Sequence, residues 1–106
     1  MRLGDTSRAL EHYEKAVEFN PANYFAYINR GNCYFRLDDY ENAERDALRA
    51  LEIKGNGKEA ASLLAILAAL RNDEDTKKKY IRMYVTNGGN AQELQAAITH
   101  YMTATE

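Results

Sequence analysis

Residues 24–57 read YFAYINRGNCYFRLDDYENAERDALRALEIKGNG, from Tyr24 to Gly57. Apolar and small residues recur here with a period near 3.6 residues, and no apolar/polar alternation lasts for the length of a strand, so the stretch reads as helical. Turn formers and a cap cluster at Leu37-Asp38-Asp39, and again at Gly55-Asn56-Gly57. Two helices joined by so short a turn pack as antiparallel neighbours. Shifted by 34 residues, the chain overlays itself: Leu3 falls on Leu37, Asp5 on Asp39, Ala9 on Ala43, Ala16 on Ala50, Val17 on Leu51, Glu18 on Glu52 and Phe19 on Ile53. Tyr27 on Ala61 and Gly31 on Ala65 agree in part. Small stays small where two helix backbones approach closely, and larger residues fill the gaps beside them. A fixed period of this length marks a repeat architecture.

Outward from this stretch, further breaks fall at Asn20-Pro21, Asn72-Asp73 and Asn87-Gly88-Gly89. They leave six helices, roughly 6–19, 23–36, 40–53, 57–71, 74–86 and 90–104, and an all-α chain. The 106 residues suit one small domain rather than a two-domain enzyme. Hydrophobic residues make up 45% and charged ones 28%, with a single proline, which excludes disorder and a collagen-like repeat. A net charge of -2 supplies no basic face for nucleic acid. Cys33 is the one cysteine, so no intrachain disulfide forms and no metal cluster builds on it; a reducing, cytoplasmic compartment is expected. The longest apolar run, Ala60 to Leu70, contains Ser62 and is too short for a membrane span.

On these residues the chain resembles the tetratricopeptide repeat family. Within residues 23–57, Tyr27 stands at the family's aromatic position, Gly31 at its close-approach glycine and Tyr34 at its first tyrosine; Tyr40, Ala43 and Ala50 follow at matching places. Residues 1–22 resemble the second half of an earlier unit, ending with the family's proline at Pro21. Residues 58–87 form a degenerate unit, since Lys77 replaces the usual alanine and Gly55 stands for the proline. Residues 90–104 resemble the closing helix of such arrays, with Leu94, Ala97, Ile98, Tyr101 and Met102 on one face behind an Asn90 to Glu93 cap. The resemblance implies an α-α superhelix of antiparallel helix pairs in one domain, 1–106.

It also places Leu3-Gly4-Asp5 in the turn between the two helices of a unit, so Met1 begins in mid-repeat. Helix 1 then lacks its partner, and Ala9, Leu10, Tyr13, Ala16 and Val17 cannot all be covered by helix 2. Leaving two or three large side chains wet forfeits on the order of 3 to 8 kcal/mol. Two explanations are expected, separately or together: the chain is a fragment of a longer array, or a second copy covers the face in a homodimer through Leu10, Tyr13 and Val17.

Catalysis finds little support, and no enzyme activity, metal or cofactor is expected. His12 and His100 lie on different helices, with no nucleophile at a suitable spacing. Cys33 reads as a packed core thiol. Gly55-Asn56-Gly57-Lys58 lacks a preceding strand, and Glu59 replaces the magnesium-binding hydroxyl of a phosphate loop, so it reads as a helix break. Asp73-Glu74-Asp75 before Lys77-Lys78-Lys79 reads as acids on a helix dipole paired with lysines one turn on. The RNA-binding pentatricopeptide family has a similar period but tends to be basic, and this chain is not.

The resemblance instead implies a concave groove lined by Phe25, Ile28, Asn29, Asn32, Phe35 and Arg36 of helix 2, with Glu59, Ser62, Leu63 and Ile66 of helix 4. Asparagine amides can bond both N–H and C=O of a peptide, and aromatic rings offer pockets. Packing of Ile28 and Phe35 between repeats, with only the asparagines wet, is an equal alternative. The expected function is capture of a partner's peptide segment or helix, with neither nucleic acid nor membrane as partner; a self-associating assembly segment is the rival. Tyr27 to Arg30 with Tyr40 and Asp46 is similar to a repeat of chaperone-binding members, and Asn29 matches their carboxylate-holding asparagine. Glu59 and Leu63 stand where their lysine and arginine would be, and Glu59 would repel a carboxylate.

Overall fold

A computed structural model of the chain describes residues 3–104. Six helices follow one another: α1 (Leu3–Phe19), α2 (Tyr24–Arg36), α3 (Tyr40–Ile53), α4 (Lys58–Leu70), α5 (Glu74–Thr86) and α6 (Ala91–Ala104), with no strand among the described residues. This is the all-α helical-hairpin fold expected from the repeat. No described helix is long and apolar enough to cross a membrane.

Local chemistry sets the helix ends. After α2, Asp38 takes a left-handed φ of 60°, its N–H donates to the Phe35 carbonyl and the Asp39 N–H to the Tyr34 carbonyl. That pair of bonds satisfies the last carbonyls of a helix. Asp39 then accepts from the Asn42 N–H, so one residue both closes α2 and caps α3. The same device recurs at Asn72, with φ of 59°, and at Asp73, whose carboxylate accepts from the Thr76 N–H. Gly88, at φ of 96°, ends α5 in the same way. Asn23 caps α2 through the Ala26 N–H, and Asn90 caps α6 through the N–H groups of Gln92 and Glu93.

One expectation fails. Leu3, Gly4 and Asp5 form the first turn of α1 instead of an interhelical turn. Their counterparts Leu37 to Asp39 are bent by carbonyls at the end of α2; Leu3 to Asp5 have no preceding helix among the described residues to supply such acceptors. Met1, where the repeat phase is expected to be interrupted, lies outside the described residues.

Packing divides the chain into two compact units, one running to Gly55 and the other from Asn56. In the first, α2 packs against both α1 and α3. Ala43, Ala47 and Ala50 of α3 are wholly buried, as backbone proximity requires of small residues. In the second, α4 packs against α5 and α6, which also touch each other. All of residues 60–69 are buried except half-buried Ser62, and Tyr80, Leu94 and Ile98 from α5 and α6 are buried too. Lys77 holds Glu74 at 2.8 Å one turn back, the acid–lysine pairing expected for α5.

The bare face expected on α1 is smaller than the sequence suggests. Thr6 and Val17 are buried, while Ala9, Leu10, Tyr13 and Ala16 are half-buried. The reason is angular: residues 6 and 17 lie close together on the helix wheel, and α2 packs along that line. The repeat still shows a difference, because Ala9 and Ala16 keep an exposure that their counterparts Ala43 and Ala50 have lost.

Candidate functional site

The site is built on α2, whose two sides serve different ends. Tyr27, Arg30 and Tyr34 recur at i, i+3 and i+7 on the side toward α3. There Arg30 donates through Nε to Asp46 Oδ2 at 2.8 Å and through Nη2 to Asp46 Oδ1 at 2.7 Å. This fork grips a carboxylate that is itself buried. The guanidinium also stands over the rings of Tyr27 at 5.4 Å and Tyr34 at 5.9 Å. Asp46 raises the Arg30 pKa by hydrogen bonding, against the opposing effect of burial. Burial pushes the Tyr34 phenol up, with Arg30 pulling it back. These contacts fix the roll of α2 about its axis.

The opposite side of α2 therefore faces α1. Asn29, Asn32, Cys33 and Arg36, at i, i+3, i+4 and i+7, line a cleft of about 200 Å³ whose other wall is Ala9 and Tyr13 of α1. The His12 ring meets the Tyr13 ring edge-on at 5.4 Å. Burial raises the Cys33 thiol pKa, and the Arg36 guanidinium works against that rise. The cleft thus combines two amides that can both donate and accept, a guanidinium fork, a phenol and a small apolar floor. Such a set has the donors and acceptors to hydrogen-bond peptide groups and carboxylates. It contains no paired nucleophile and base.

Of the residues singled out from the sequence, Asn29, Asn32 and Arg36 are brought together here. Phe25 lies on the same side of α2 one turn earlier; it is exposed, edge-on to Tyr24 at 5.0 Å, with the Lys54 ammonium 5.9 Å from its centroid. Ile28 is buried, and Phe35 is half-buried against the Tyr40 ring at 5.3 Å; neither lines the cleft. Of the second-unit residues, Glu59 and Ser62 are half-buried, and Leu63 and Ile66 are buried. Of the three residues named for a dimer face, Tyr13 lines the cleft, Leu10 is half-buried outside it and Val17 is buried. Ala9 and Cys33 were legible only as packing residues. Their i, i+4 relation to Tyr13 and Asn29 is the signal that places them on the cleft. His12 and His100 are both exposed.

Comparison with known proteins follows the same repeat. Residues 24–56 match the family model described as tetratricopeptide repeat, and residues 1–38 match one described as TPR repeat. The chain is similar to serine/threonine-protein phosphatase 5 of Rattus norvegicus, 39% identical over 94 residues, covering 72% of this chain and 19% of the phosphatase. It is 32% identical over 75 residues to the tetratricopeptide repeat and J domain-containing co-chaperone DNJ1 of Fusarium oxysporum, covering 71% of this chain and 14% of the co-chaperone. Protein STIP1 homolog of Dictyostelium discoideum is 36% identical over 50 residues, covering 47% of this chain and 9% of that protein. The chain spans less than a fifth of the length of each of these relatives. On the two family models, which together span residues 1–56, and on the helical-hairpin fold, the chain belongs to the tetratricopeptide repeat family.

Proposed function

We propose that this chain is a protein-interaction module that captures a peptide segment or helix of a partner protein, with the α1–α2 cleft as its polar centre. The observation that carries the reading is the convergence of Asn29, Asn32 and Arg36 with Tyr13 around one cleft. Phe25, exposed on the same stripe one turn earlier, supplies an apolar anchor beside it. The relative named as a co-chaperone supports a protein partner, and on the family resemblance Asn29 matches the carboxylate-holding asparagine of chaperone-binding repeats. Glu59 and Leu63 argue against a chaperone tail as the ligand of this chain alone. Residues 1–22, 23–57, 58–87 and 90–104 act on this reading as parts of one array, without catalysis of their own and in the cytoplasm.

The test starts from a peptide selected on the intact chain from a displayed random library. Asn32→Ala with Arg36→Ala weakens its binding by about 10- to 100-fold, as expected for truncating central polar contacts worth roughly 1–3 kcal/mol. Helicity stays unchanged. Equal affinity, or chemical-shift changes away from α1 and α2, rejects the cleft. The rival reading is a self-associating assembly segment. Half-buried Ala9, Leu10, Tyr13 and Ala16 on α1 favour it, as does Phe19, which is 93% exposed. Sedimentation separates the two, since self-association without selectable peptide ligands supports the rival.

A further inference from the structure

We propose that Asn56 is a modification site, at which the chain deamidates spontaneously to aspartate and isoaspartate. Asn56 is exposed, lies between Gly55 and Gly57, and begins the second unit at the boundary between the two. The reaction needs a main-chain nitrogen free to reach the preceding side-chain carbonyl carbon, with no side chain in the way. Gly57 supplies both. It is the N-cap of α4 with an extended backbone, φ of -74° and ψ of 104°, and its N–H closes the turn at Gly55-Asn56 only loosely, without a hydrogen bond of good geometry.

In the step itself, the Gly57 nitrogen gives its proton to water or hydroxide and attacks Cγ of Asn56. The Cγ–Nδ2 bond breaks, and ammonia leaves carrying a proton from the solvent. Water then opens the five-membered imide at either carbonyl. One opening restores the main chain as aspartate; the other routes it through the side chain as isoaspartate. The net change is one water consumed and one ammonia released, with no oxidation or reduction. Either product sets a negative charge just before the N-terminus of α4, where the helix dipole favours it. Isoaspartate also lengthens the main chain by one carbon at the junction of the two units.

The chain contains an internal control. Asn87-Gly88 has the same two residue types, but Asn87 is half-buried, its N–H donates to the Met83 carbonyl at 3.1 Å, and the Gly88 N–H donates to the Val85 carbonyl at 3.1 Å. Breaking that last bond before attack slows Asn87 by about two- to tenfold, the factor for one ordinary hydrogen bond. Gly57 is itself buried, which limits access of base to its N–H.

The experiment incubates the intact folded chain in mildly alkaline buffer and maps peptides by mass spectrometry, with isoaspartate detected by electron-transfer fragmentation. The peptide holding Asn56 gains the mass of an amide-to-acid exchange first, in both isomers, and Asn56→Gln removes that signal. Conversion at Asn87 as fast as at Asn56 overturns the proposal. So does conversion at Asn56 only after unfolding in urea, since the fold would then be protecting the bond.

Discussion

Replacing Asp46 with alanine removes the carboxylate gripped by Arg30 and tests what holds α2 in place. Asp46 is 2% exposed overall, and the two bonds to it run at 2.7 and 2.8 Å. Deleting one partner of a buried ion pair costs about 3–5 kcal/mol, because the surviving charge has lost its counterion. Arg30 keeps 20% side-chain exposure and the faces of two tyrosine rings, so it can partly rehydrate. The low end, about 3 kcal/mol, is therefore expected. For a small domain worth about 5–15 kcal/mol this is a large share. With a urea slope of about 1–1.5 kcal/mol/M, the midpoint falls by about 2–3 M. Urea titration followed by helical circular dichroism measures the shift, and amide exchange should place the lost protection on α2 and α3. Exchanging both partners, Arg30→Met with Asp46→Leu, costs clearly less than Asp46→Ala alone, since no charge is stranded. A midpoint shift below about 0.5 M for Asp46→Ala refutes the reasoning, because the pair would then be behaving like an exposed one.

Other substitutions probe the turns and the cleft. Asp39→Ala removes the Asn42 N–H acceptor and loses about 1 kcal/mol of stability in the same titration. Asn72→Gly relieves a left-handed residue at φ of 59° and stabilises by up to about 1 kcal/mol, whereas a loss would mean that the Asn72 side chain contributes beyond its backbone. Gly89→Ala drives a Cβ into the Tyr84 ring and costs about 1–3 kcal/mol unless that ring swings out, which a shift in the Tyr84 ring resonances would reveal. Hydrogen bonds from the Thr76 side chain and main chain, with Arg71 nearby, hold the Asp73 carboxyl below its ordinary pKa. A depressed folded value means that the stabilisation is present above the unfolded carboxylate range and fades as pH falls through the folded one; Thr76→Val moves the carboxyl, followed by carbon NMR, back toward its ordinary value. Cys33, buried at the cleft with a raised thiol pKa, alkylates more slowly in the folded chain than in urea, and more slowly still with a selected peptide bound.

Helix boundaries were legible because their causes are local. A left-handed Asp38 or Asn72 followed by a capping aspartate is complete within four or five residues, so the sequence around each turn contains everything that shapes it. The buried alanines of α3 were legible for a related reason, since a period of 34 residues marks where backbones approach. What escaped is the roll of one helix against another. Val17 and Tyr13 look equivalent on a helical wheel, yet one is buried and the other walls the cleft; the line along which α2 meets α1 decides between them. For Ile28 and Phe35 the sequence left groove and packing equally open, because residues at groove spacing bear the same pattern whether they are open or packed. Arg30 and Asp46 carried a family resemblance, but a charge pair spanning a turn has no periodic signature, and their fork became visible only with the hairpin assembled.

The placement of the pair explains why the cleft can stay polar. Asn29, Asn32 and Arg36 lie about half a helical turn away from Tyr27, Arg30 and Tyr34, so the residues that pair with α3 and those that line the cleft share a helix but not a side of it. Two amides and a guanidinium would be costly inside the hairpin, where each would need a buried partner. On the α1 side they line a cleft of about 200 Å³ with room for water, and a ligand can replace that water bond for bond. Stability and recognition should then separate under mutation. Asn32→Ala with Arg36→Ala leaves the urea midpoint within about 0.5 M of the parent while binding falls, since surface truncations away from the core cost little. Asp46→Ala, which touches nothing in the cleft, weakens binding only in proportion to the fraction of chain it unfolds. A tenfold loss of affinity in fully folded Asp46→Ala protein would show instead that the roll of α2 is part of the binding geometry, and that the two sides of this helix are coupled through its backbone.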